Sequence, residues 1–205
     1  MNLMFHLAAA SLLVLATTAQ AGVVTTFADP ALTGGTVDNF SSYAVGNPTS
    51  VGTGFTMTQN GGGTLQVTDG YSGSYGAVGR SVISWGSSGV TITFGQGISA
   101  FALLIGGADY DWKVEAFDGL GSSLGSSTIV HNVNGFVAGW SAANIKSAKL
   151  SPVNADDVLF DNLTIAAANT VPEPTALSLA AILALPLAHA QAPAFPSKPA
   201  SIVVP

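Results

Sequence analysis

The chain has 205 residues, 11 Asp and Glu against 5 Lys and Arg for a net charge of -6, and no cysteine. Charged residues make up only 8% of it, against roughly 25% in an ordinary soluble protein, so Ser, Thr, Gly and Asn must cover the surface. That balance excludes nucleic acid as a partner, because binding it needs clustered cations, and the lack of Cys excludes disulfides and thiolate metal sites.

Residues 1–21 read as a secretory signal peptide. The run 7–16 is a compact apolar segment, and Ala19 and Ala21 supply the small side chains a signal peptidase requires, which puts the mature start at Gly22. The usual Lys or Arg ahead of the apolar run is absent, leaving the α-amine and His6 as the positive groups. An uncleaved anchor is the alternative, but the run falls short of the ~20 apolar residues that cross a bilayer.

From Gly22 the pattern is β throughout. Segments rich in Val, Ile, Thr and Phe recur at 23–27, 55–59, 64–69, 80–85, 90–94, 98–105, 112–118, 128–132, 135–140, 145–150 and 158–165, separated by Gly, Ser and Asn clusters. Such spacing predicts an all-β domain over 22–168, a single antiparallel β-sandwich flanked by a signal helix and a short C-terminal hydrophobic helix. In Val90-Thr91-Ile92-Thr93-Phe94 the apolar residues share one face and the threonines the other, as expected of a strand with one wet side.

Chemistry-bearing residues are few. Between 22 and 168 there is one histidine, His131, so a zinc site built on several imidazoles is unavailable and a Ser-His-Asp triad would have to use that residue. No nucleophile-elbow pattern accompanies it. Nine Asp leave an Asp-based glycoside hydrolase as the enzymatic alternative. Glu115 shares a strand face with Lys113, which predicts an exposed ion pair. Asp109 and Asp111, together with Asp156 and Asp157, offer hard oxygen ligands and form a candidate structural calcium set. Tyr71 and Tyr75 in one loop, with Tyr110 and Trp112 near another, form a candidate sugar-stacking set, because aromatic faces on loops can pack on the C–H face of a sugar ring. Trp85 and Trp140 end apolar strands and are expected in the core or at its rim.

The segment Asp156-Asp157-Val158-Leu159-Phe160-Asp161-Asn162-Leu163-Thr164-Ile165 leads into a linker, 169–175, that contains Val171-Pro172-Glu173-Pro174. A short hydrophobic stretch follows at 176–188, and then a Pro-rich tail at 189–205 that is expected to be disordered. The two prolines hold the backbone extended and accessible to a protease. This ending resembles the PEP-CTERM sorting signal of bacterial surface proteins, in a degenerate form. The hydrophobic stretch is short, and the Arg cluster that ends such signals is missing. The final strand pattern is similar to that of jelly-roll-like domains that precede such signals, many of which share a fold with carbohydrate-binding modules. The resemblance implies export by way of an exosortase-type sorting protease to the cell surface or extracellular matrix of a Gram-negative bacterium. It also implies transient or weak membrane contact through 176–188, and a non-catalytic role that is structural or associated with extracellular polysaccharide.

Overall fold

The computed structural model describes residues 21–86 and 88–168. The signal peptide up to residue 20, the Val171–Pro174 motif, the hydrophobic stretch and the tail lie outside them. Eleven strands form, all paired antiparallel: β1 (Gly22–Val24), β2 (Thr36–Asp38), β3 (Ser50–Val51), β4 (Phe55–Gln59), β5 (Gln66–Thr68), β6 (Ser81–Ser84), β7 (Val90–Gly106), β8 (Trp112–Phe117), β9 (Ser123–Ile129), β10 (Phe136–Pro152) and β11 (Val158–Ala167). A 3-10 turn, Pro30–Leu32, is the one helical element among the described residues.

Two strands of 17 residues, β7 and β10, organise the rest. They pair with each other along nearly their full length, from Phe136 opposite Ile105 to Leu150 opposite Val90. Both bend midway: the register shifts between Ser141 and Ile145 and again before Ser147, Asn144 takes φ +58°, and β7 passes through Gly95-Gln96-Gly97 at the same level. Bulges of this kind sharpen the local bend of a ladder without ending it. Each long strand therefore contributes its two halves to two facing layers. The first layer runs β3, β4, the start of β7, the end of β10, β8 and β9. The second runs β5, β6, β11, the end of β7, the start of β10 and β1, with β2 beside the far part of β11.

Ring contacts show how tightly the layers close. Phe94 and Phe101 lie on the same strand, yet their ring centroids are 5.6 Å apart; an unbent strand at ~3.3 Å per residue would separate seven residues by ~23 Å. Trp112 of the first layer meets Phe160 of the second edge-on at 5.8 Å. Met57, Ile92, Phe101, Leu103, Ile105, Ile145, Leu150, Phe160 and Leu163, each fully buried, fill the space between. The result is an antiparallel β-sandwich, jelly-roll-like in that the chain passes repeatedly from one layer to the other, as expected from the strand pattern.

The two layers differ on their outer faces. In the first, Val90, Ile92 and Phe94 point inward while Thr91 and Thr93 face out, with Thr93 exposed. In the second, β7 is buried on both sides from Ala100 to Gly106. Val24, Leu32, Ala100, Ala102 and Ala166 form a second apolar cluster where the N-terminal segment covers that face, and Ala77, Ile83 and Leu159 form a third beneath the loop 69–80. Four expected strands, 90–94 with 98–105 and 135–140 with 145–150, are thus halves of β7 and β10: the glycines and small residues read as breaks are corners through which pairing continues.

Gly139 of β10 has no room for a side chain, because a Cβ there would lie 2.1 Å from the Phe101 carbonyl oxygen of β7. Gly139→Ala is expected to lower unfolding free energy by at least ~2 kcal/mol, since only backbone movement can relieve the overlap. An unshifted urea midpoint would show that β7 can move aside.

Candidate functional site

The loops 69–80, 107–111 and 153–157 gather with the Trp85–Gly86 turn around two cavities that share Asp157. The first, about 200 Å³, is lined by Tyr71, Tyr75, Ile83, Trp85, Gly106 and Leu159 among others. The second, about 460 Å³, is lined by Gly86, Asp109, Tyr110, Ala155, Asp156 and Asp157. None of the Lys and Arg among the described residues lines either one.

The first cavity is aromatic. Tyr71 and Tyr75 pack at 6.2 Å between centroids in a tilted pair, and Tyr75 adopts φ +54°. Their loop is closed by its own backbone: Ser72 N–H donates to the Asp69 carbonyl, Ser74 to Tyr71, Ala77 to Ser74, and Gly73 to Ala77. Trp85 follows β6, and its Nε1 donates to Gln66 Oε1 at 3.0 Å, which fixes the plane of the indole. Tyr75 is 40% exposed, Trp85 45% and Tyr110 43%, so each is only half-buried where an ordinary packed aromatic would be covered.

The second cavity is acidic but organised by donors. Asp156 is nearly buried, and its carboxylate accepts from Trp112 Nε1 at 3.1 Å, Asp109 N at 3.2 Å and Tyr110 N at 3.3 Å. A carboxylate satisfied by several N–H groups is a loop anchor, each such bond contributing ~1.5–3 kcal/mol. Asp157 accepts from Gly86 N and ties the 153–157 loop to the turn after β6. Asp111 faces away, accepting from His131 N at 3.0 Å and meeting His131 Nδ1 at 2.8 Å; the hydrogen bond from the imidazole is the main reason its carboxyl titrates below the usual range. Asp109, Asp111, Asp156 and Asp157 therefore do not converge as a calcium shell, and no group of three candidate metal ligands occurs among the described residues. Lys113 and Glu115 form the expected exposed pair at 2.8 Å.

The structure gathers most of the expected aromatic set and alters one member. Tyr71, Tyr75 and Tyr110 stand around the cavities, whereas Trp112 is 1% exposed and lies against Phe160. Its place was readable: Trp112, Val114 and Ala116 alternate as the buried face of β8, with Lys113 and Glu115 on the other face. Trp85 takes the surface role in its stead. Sequence reasoning missed it because Val82 and Ile83 are both apolar, so the strand shows no alternation; both are buried, one between the layers and one beneath the 69–80 loop. Trp140 is 7% exposed and belongs to the core, as expected.

No family model matches this chain, and no curated protein does. Among solved structures it is similar to a family 29 carbohydrate-binding module, at 13% identity and TM-score 0.36 over 73% of this chain and 93% of that one. It is also similar to the family 22 module and catalytic module of Clostridium thermocellum xylanase 10B, at 15% identity and TM-score 0.38 over 64% of this chain and 28% of that one. A family 6 carbohydrate-binding module matches at 12% identity and TM-score 0.28 over 64% and 88%. At these TM-scores the likenesses say nothing about what this chain binds.

The two tryptophans give a direct check on the site. Trp112→Ala is expected to cost ~3–5 kcal/mol of unfolding free energy, the range for removing a buried large aromatic, and Trp85→Ala less than ~1 kcal/mol, as for an exposed residue. Equal losses in chemical denaturation would contradict the division between core and groove.

Proposed function

We propose that this chain is an exported, non-catalytic protein that binds carbohydrate through the groove between Tyr71, Tyr75 and Trp85, and that it acts at a bacterial surface or in an extracellular polysaccharide matrix. The observation that carries the reading is the pairing of half-exposed aromatics with a cavity: Tyr75 and Trp85 line a cavity of about 200 Å³ whose neighbour carries the Asp109 and Asp157 carboxylates. Sugar rings present a flat array of C–H bonds to aromatic faces and hydroxyls to flanking carboxylates. With carboxylates and no cation in either wall, the groove suits neutral glycans and repels uronic acids, by ~1 kcal/mol for like charges ~4 Å apart in water.

The hydrolase alternative requires two carboxyl groups free to face a glycosidic bond. Asp156 is engaged by three N–H donors and Asp157 by the Gly86 amide, which leaves Asp109 as the one carboxyl lining the cavities without a donor among the described residues. Asp161, the carboxyl that burial pushes up, lines neither cavity. Export rests on the two ends of the sequence. β1 begins at Gly22, the residue after the expected cleavage site, and pairs there with Ser141, so removing 1–21 leaves all the described strand pairing in place. On this reading an exosortase-type protease acts at the Pro172-Glu173-Pro174 segment, and the short stretch 176–188 gives weak membrane contact.

Affinity electrophoresis and calorimetry with soluble neutral β-glucan, xylan and polygalacturonate test the binding. Retention by a neutral glycan is expected, with at least ~tenfold weaker affinity in Trp85→Ala or Tyr75→Ala, corresponding to ~1.4 kcal/mol. Failure to retain any glycan at millimolar concentration would remove the carbohydrate reading. Mass spectrometry of the protein recovered from its own cells tests the processing: an N-terminus at Gly22 and loss of the tail beyond the Pro172–Pro174 segment are expected, and intact ends would contradict it.

A further inference from the structure

Asp161 is a fully buried carboxylate, and neither ion pair among the described residues includes it. It lies on β11 just before Asn162, whose φ of +52° accompanies a register shift in the pairing of β11 with β7. Oδ1 accepts from Asn162 N at 2.7 Å, and Oδ2 accepts from Val78 N at 2.8 Å, 83 residues away in sequence. Burial pushes the Asp161 carboxyl above the usual range while the two N–H bonds pull against it. Holding a carboxylate in such a place is costly, so the contact it makes must matter to the local structure.

That contact holds the aromatic loop. The Val78 side chain is 70% exposed and gives little burial, so its amide is the link to the sheet. Ala77 is the buried apolar residue of the loop, against Ile83 and Leu159. Further along, the Tyr75 carbonyl comes down on Gly106, where a Cβ would lie 2.5 Å from it. Tyr71 and Tyr75 thus sit on a short, Gly-rich segment that meets the second layer through Ala77 and the partly buried Tyr71, through close approaches of the Tyr75 carbonyl to Gly106 and Gly135, and through one charged hydrogen bond. Hydrogen bonds to ionised acceptors are about twice as strong as neutral ones.

Resting on the carbohydrate reading of the groove, we infer that Asp161 is the positioning residue of the binding site: from beneath the sheet-facing side of the 69–80 loop it fixes the Tyr71–Tyr75 wall through the Val78 amide, without touching ligand. Asp161 itself lines neither cavity.

Hydrogen exchange on the wild-type mature protein tests the link without mutation. The Val78 amide should be protected although its side chain is exposed, and free exchange at Val78 would overturn the inference. In Asp161→Ala, amides 72–79 should exchange faster while those of β4 and β8 keep their protection, and affinity for the neutral β-glucan should fall at least tenfold. Asp161→Asn, which keeps one oxygen acceptor for the Val78 N–H but loses the charge and turns its NH2 toward the Asn162 N–H, should recover part of that loss. Unchanged glucan affinity in Asp161→Ala, with wild type binding normally, would overturn the positioning role. If wild type binds no glycan, the carbohydrate reading fails, and exchange at 72–79 still decides whether Asp161 holds the loop.

Discussion

Everything in this sandwich depends on the continuous pairing of β7 with β10 through a shared corner. A sheet can close on itself only if its ladder bends while keeping its hydrogen bonds, since unpaired backbone groups inside a core are costly. Here the bend falls at Gly95-Gln96-Gly97 on one strand and around Asn144 on the other, and pairing resumes on both sides of it. One ladder thereby supplies the central strands of both layers. The 5.6 Å contact between Phe94 and Phe101 is the consequence, and the remaining strands add at the edges of this frame.

The same frame explains where function can sit. Because β7 and β10 fill the centres of both layers, the loops that join elements across the layers collect at the ends, and β8 leaves one such end beginning with Trp112. Asp156 binds the Trp112 indole and the two backbone amides at 109 and 110, so the core contact with Phe160 and the shape of the acidic cavity are fixed by one carboxylate. Asp157, next in sequence, lines both cavities. The aromatic groove is therefore built against the second layer on one side and against the 69–80 loop, closed by its own backbone hydrogen bonds and tied to Asp161 at Val78, on the other. Preorganised walls of this kind lower the ordering cost of binding.

Much of this was legible in the sequence, and the failures have physical causes. Thr56, Thr58, Thr91 and Thr93 alternate with apolar neighbours because the first layer has one wet face, and the strands at 55–59 and 90–94 follow directly from that. The second layer is covered on both faces, so β6 and the end of β7 lose their alternation, and with it the cue to which way Trp85 points. Gly95 and Gly97 read as a strand break because local sequence does not distinguish a corner from a turn. The acids at 109, 111, 156 and 157 read as candidate cation ligands; the N–H donors that engage Asp156 and the His131 that engages Asp111 come from long-range folding. Short β2 and β3 carry no periodic signal at all.

The three tryptophans offer a single direct measurement of the groove. Each indole N–H gives a separate proton–nitrogen NMR signal, and Trp85, Trp112 and Trp140 occupy the groove, the anchored core and the buried interior respectively. Titration with a neutral β-glucan oligosaccharide should shift the Trp85 signal progressively and leave those of Trp112 and Trp140 in place. A shift confined to the other two, or saturation of binding with Trp85 unmoved, would contradict the assignment of the open aromatic face as the binding site.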